Sequence, residues 1–119
     1  MSKVCAISVY VKDLAEGTKF YSEVLGLKIK KVMPYLVLLD NEGADFVLCQ
    51  AEESTAIDYP NQAAVVLGFQ TENLAESVSA FRAKGVNFIH SSAQDFPGGK
   101  FVGFRDPSGN VLELLEFTG

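Results

Sequence analysis

The sequence predicts an α+β protein of two tandem βαβββ modules, joined as a curved eight-stranded sheet around a cup. Three observations carry this expectation. At a shift of sixty positions (73 minus 13), Asp13-Leu14-Ala15-Glu16 returns as Asn73-Leu74-Ala75-Glu76, so the same helix-opening phrase is used twice. The copies stay in step: Tyr21 is answered by Phe81, Gly26 by Gly85 one place short, and Lys28-Ile29 by Phe88-Ile89. A chain of 119 residues, 48% apolar, gives either half too little surface to bury alone, so both are expected to share one domain. The modules are read as 1–50 and 63–119, with 51–62 as a polar linker containing Pro60.

Each element has a local cause. Ile7, Val9 and Val11 alternate with Ala6, Ser8 and Tyr10, the period of a strand with one face on a helix and the other on something less apolar. Asp13, with Glu16 three places on, reads as a capping box. Leu14, Gly17, Tyr21, Val24 and Leu25 form the apolar stripe of the helix it opens, and Gly26 ends that helix in a left-handed conformation. Three strands follow, at 28–32, 35–39 and 44–49, the last two joined by the turn Asp40-Asn41-Glu42-Gly43. The second copy gives a strand at 64–70, a helix at 74–84 capped by Asn73 and closed by Gly85, and strands at 86–90, 100–105 and 111–117. In the turn Asp106-Pro107-Ser108-Gly109-Asn110, proline presets one corner and Gly109 can take positive φ. The loop 91–99, with Pro97-Gly98-Gly99, is expected to overhang the hollow.

Composition narrows the function. A net charge of −5, with no basic cluster beyond Lys28-Ile29-Lys30-Lys31, argues against a nucleic-acid partner. No apolar run is long enough for a membrane span or a signal-peptide core. Cys5 and Cys49 match no metal-binding spacing and read as free thiols in a reducing, cytoplasmic setting. Nothing has the arrangement of a nucleophile triad or a phosphate loop.

Two segments resemble a known family. Val11-Lys12-Asp13-Leu14 leading to Phe20-Tyr21-Ser22-Glu23-Val24-Leu25-Gly26-Leu27, and Asp106-Pro107-Ser108-Gly109-Asn110-Val111-Leu112-Glu113-Leu114, are similar to the vicinal oxygen chelate superfamily of glyoxalase, bleomycin-resistance and dioxygenase proteins. The resemblance covers nearly the whole chain. It implies the fold but not the activity, because that scaffold serves isomerases, lyases, dioxygenases and binding proteins alike. It also implies four metal-ligand stations on hollow-facing strands. Here they fall on Ala6, Val47, Val66 and Glu113, with Asp45 or Cys49 as alternatives on the face of Val47. A single carboxylate is too few donors for a divalent ion.

The expectation is therefore a small-molecule-binding protein without catalytic residues, metal or cofactor, forming a homodimer and holding an amphipathic or cationic ligand. Its candidate ligand-binding residues are Ser8, Tyr10, Val47, Val66, Gln70, Phe101, Arg105, Glu113 and Leu115, with Ala6, Gly68 and Val111 completing the hollow. Alternation leaves open whether Phe101 with Gly103 and Arg105, or Val102 with Phe104, faces inward. It also leaves open whether the modules pair within one chain or between two. Glu113 reads as a ligand anchor or base, or as a carboxylate paired with Arg105 or Lys100 or hydrated at an open rim, and His90 as a polar strand end. Two alternatives remain: an enzyme using a metal site rebuilt from Asp45, Glu113, His90 or residues of a partner chain, or using Glu113 as a base, and an interaction module whose hollow its own side chains fill.

Overall fold

The computed structural model describes residues 2–118. They form two compact units, one ending at Ser54 and the other beginning at Thr55. The strands are hydrogen-bonded as two sheets, of four and five strands, in the mixed α+β architecture expected. In each unit the first strand pairs in parallel with the last strand of that same unit, which closes the ladder within the unit.

The first unit contains β1 (Ala6–Val11), α1 (Leu14–Lys19), β2 (Lys28–Val32), β3 (Leu36–Asp40) and β4 (Asp45–Gln50), in the sheet order β1-β4-β3-β2. Asp13 caps α1 as expected, its carboxylate accepting from the Glu16 amide at 3.0 Å. The helix then widens into a π-helical turn, Phe20–Val24, with Leu25 N bonded to Phe20 O, a change of pitch that alternation of apolar residues does not signal. Gly26 ends the segment at φ 79°. Gly17 is needed for packing, because a Cβ there would stand 2.9 Å from a Val11 methyl. Val9, Val11, Val37, Leu39, Phe46 and Leu48 are buried on the helix side with Phe20 and Tyr21. Tyr35, expected within β3, precedes it and is 77% exposed.

The second unit contains β5 (Leu67–Gln70), α2 (Leu74–Ala83), β6 (Asn87–Phe88), β7 (Gln94–Phe96), β8 (Gly99–Arg105) and β9 (Val111–Phe117). The sheet order is β5-β9-β8-β6, with β7 also on β8. Three expectations are corrected here. The strand expected from Ala64 starts only at Leu67, because Ala64 takes φ 41°, a left-handed turn that interrupts an extended run. The strand expected at 86–90 shrinks to two residues, because the Val86 amide bonds back to Phe81 O in the helix end. The loop 91–99 is partly β7, folded onto β8. Asn73 caps α2 through Glu76 N, and Gly85 closes it at φ 81°. Phe104, with no exposed surface, meets Phe81 of α2 at 5.6 Å and Phe88 of β6 at 6.2 Å between ring centroids. The linker is not free-standing: Thr55 N bonds to Ser108 O at 2.8 Å.

No helix among the described residues is long and apolar enough to cross a membrane.

Candidate functional site

The register of the second sheet settles which side chains share a face. Leu112 and Leu114 of β9 stand opposite Phe104 and Val102, and Phe104 packs on α2 through Phe81. The other face therefore carries Val111, Glu113 and Leu115 of β9, Phe101, Gly103 and Arg105 of β8, and Gly68 and Gln70 of β5. Of the two possibilities for 100–105, the one with Phe101 and Arg105 on the Glu113 face is the observed one. Val66 lies just outside β5.

Glu113 is flanked in the sheet by two glycines, Gly68 on one neighbour and Gly103 on the other. The room this leaves is used on both sides. A Cβ on Gly68 would overlap the Leu115 side chain, and one on Gly103 would lie 3.3 Å from the His90 ring. His90 is half-buried, and its Nδ1 accepts a hydrogen bond from the Gly103 amide at 2.9 Å. Its neutral form accordingly carries the proton on Nε2.

The partner of Glu113 is Tyr59, from the linker: the phenol donates to Oε2 at 2.5 Å. The Tyr59 ring also meets the His90 ring edge-on at 5.5 Å, and His90 meets Phe101 in the same way at 5.5 Å. The pairing expected with Arg105 or Lys100 is not the one formed. Arg105 donates Nη1 to Gly109 O at 3.2 Å, and Lys100 pairs with Asp95 at 2.7 Å. Lys100 stands opposite Glu116 and so belongs to the helix-side set of β8. Tyr59 was missing from the sequence-derived site, and His90 entered only as a ligand of the alternative, rebuilt metal site. Tyr59 lies in a segment without periodicity, and an isolated histidine at a strand end carries no signal of its own.

Burial, then the hydrogen bond to Glu113 and its negative charge, push the Tyr59 phenol up to about 12 from its ordinary 10.0. The folded value lies above the unfolded one, so this contribution to stability is whole below pH 10 and is lost as pH rises through about 12. Ultraviolet titration should resolve one late phenolate. In Glu113→Gln that phenolate should move earlier by part of the difference, since burial is the larger cause. An unchanged midpoint would remove Glu113 as the partner.

In the first unit, Ser8 stands opposite Val47 and Tyr10 opposite Cys49. These side chains share the sheet face away from α1, together with Ala6 and Asp45. Asp45 lies 3.7 Å from Lys30 Nζ. A separate cleft of about 540 Å³ lies at the start of α2, lined by Leu74, Val78, Lys100 and Glu116 among others. Its carboxylate is already used, Glu116 Oε1 accepting from Leu74 N at 2.8 Å, and it is on the opposite face from Glu113.

The α+β architecture, with parallel first and last strands in each unit, defines the class. Residues 3–114 match the Glyoxalase/Bleomycin resistance protein/Dioxygenase superfamily, and the chain belongs to that family. It is similar to lactoylglutathione lyase from Agrobacterium tumefaciens, at 26% identity over 98% of this chain and 94% of that one, with a TM-score of 0.71. The fosfomycin resistance protein FosX from Listeria monocytogenes has the same fold at 19% identity, covering 99% of this chain and 95% of its own, with a TM-score of 0.80. So does TnmS3, an antibiotic binding protein from Streptomyces sp. CB03234, at 23% identity, 99% and 98% coverage and a TM-score of 0.72. No curated protein sequence matches the chain.

The metal that the family resemblance implies does not fit the residues present. Ala6, Val47 and Val66 offer only hydrocarbon, which leaves Glu113 as the one donor among the four stations. Among the described residues no three His, Cys, Asp or Glu side chains come together as a metal-binding group.

Proposed function

We propose that the chain is a non-catalytic, metal-free binding protein for an amphipathic or cationic small molecule, with Glu113 as the polar anchor. One observation carries this: Glu113, the single carboxylate on its sheet face among the described residues, accepts from Tyr59, whose ring leads on to His90 and Phe101 on the same face. An acidic oxygen among apolar and aromatic surfaces attracts a cation and rejects anions. TnmS3, an antibiotic binding protein with this fold, supports a binding role for this scaffold. Gln70 and Arg105 would serve as further polar contacts on the Glu113 face. Cys5 and Cys49 as free thiols support a cytoplasmic setting. Exposed Ile29 and Val32 on the edge strand β2, with Tyr35 beside it, support a homodimer.

A thermal-shift panel of cationic, neutral and anionic amphiphiles tests the anchor. Its cationic hits should bind Glu113→Gln about tenfold more weakly, the loss of one charge-assisted contact. The fold should survive, because the amide oxygen can still accept from Tyr59. Equal affinity in the variant would remove Glu113 as the anchor. Stoichiometric zinc, nickel, iron or manganese in protein purified without chelators would overturn the metal-free assignment.

A further inference from the structure

The anchor does not stand alone on its face. From Tyr59 the rings run on without a break: Tyr59 to His90 at 5.5 Å, His90 to Phe101 at 5.5 Å, Phe101 to Phe96 at 6.1 Å and Phe96 to Phe117 at 5.9 Å. Register places Phe96, Phe101 and Phe117 on the Glu113 side of the sheet, since Phe96 and Phe117 both stand opposite Gly99, two places from Phe101. All four contacts are edge-to-face, with interplanar angles from 67° to 89°. Such a contact covers a face of only one of its two rings, so the row does not consume its own stacking surface. Nor is it fully buried: Tyr59, His90, Phe96 and Phe101 are half-buried, and Phe117 is 55% exposed.

We infer that this strip recognises a flat aromatic cation, meaning a fused-ring body with a protonated nitrogen. The charged N–H would meet Glu113 while the ring system lies along the row toward Phe117. Aromatic faces add attraction for a delocalised positive charge and none for a carboxylate or sulfonate. Arg105 lies one pair along from Gly103 on the same face, but it directs Nη1 to Gly109 O at 3.2 Å and marks the end of the strip away from Phe117. This inference rests on the binding role proposed above and adds the ligand class.

The test uses the full chain and four probes: proflavine as the flat cation, phenazine as its neutral analogue, anthracene-2-carboxylate as the anion, and cyclohexylmethylammonium as a cation without an aromatic body. Proflavine should bind about tenfold more tightly than any of the other three. Phe101→Leu should lose about tenfold in proflavine affinity with little change for cyclohexylmethylammonium. Phe117→Leu, at an exposed position, gives the same readout should Phe101→Leu unfold. Equal binding of the two cations, both dependent on Glu113, would overturn the aromatic inference and leave the anchor standing. Tightest binding of the anion, or proflavine affinity indifferent to both phenylalanine variants, would also overturn it. Proflavine unbound, together with a panel empty of cationic hits, would remove the binding role as well.

Discussion

Phe104→Ala is expected to destabilise the protein by about 4 kcal/mol, the range found when a fully buried aromatic is cut back to a methyl group. The ring has no exposed surface and joins three elements: it sits on β8, meets Phe81 of α2 and Phe88 of β6, and lies opposite Leu112 of β9. No neighbour is placed to fill the space, since Phe81 is fixed on its helix and Phe88 on its strand. Phe104→Leu keeps most of the volume and should cost about 1 kcal/mol. Urea denaturation of the three proteins measures both. A loss below 1 kcal/mol for the alanine variant would mean that α2 does not depend on this contact.

Gly109→Ala should cost about 3 kcal/mol through backbone, with no side chain removed. Gly109 is held at φ 89°, a conformation that costs an L-residue roughly 1–2 kcal/mol. A Cβ there would also run into the carbonyl oxygen of Thr55. That carbonyl cannot swing away cheaply, because the Thr55 amide is bonded to Ser108 O at 2.8 Å. The same contact holds the segment that carries Tyr59, so the variant should lose stability and also return the Tyr59 phenol toward its ordinary value near 10. Gly109→Asn separates the two causes, since asparagine tolerates positive φ better than alanine but carries the same Cβ. If the asparagine variant unfolds at the wild-type urea concentration, the clash with Thr55 is not real.

Much of this architecture was legible because its causes are local. Asp13 and Asn73 cap helices through side chains that reach three residues, Gly26 and Gly85 end them by adopting positive φ, and the β9 alternation separates Glu113 from Leu112 and Leu114. The errors fall where a backbone detail intervened: the left-handed Ala64 shortened β5, and the bond from Val86 to Phe81 O shortened β6. Neither has a compositional mark, as alanine and valine are ordinary residues for the strands expected there.

The site was only half legible. Glu113 is found by its place after the Asp106 turn, whereas its partner lies 54 residues away in a stretch without hydrophobic period. Period and capping act over a few residues, so amino-acid order determined the order of most elements and the family of this protein, while the face of β8 that looks toward Glu113 was settled only by its register with β9. The union of Tyr59, His90 and Phe101 around one carboxylate came from tertiary structure, because the path of the 55–62 segment depends on contacts such as Thr55 with Ser108 that exist only once β8 and β9 are paired.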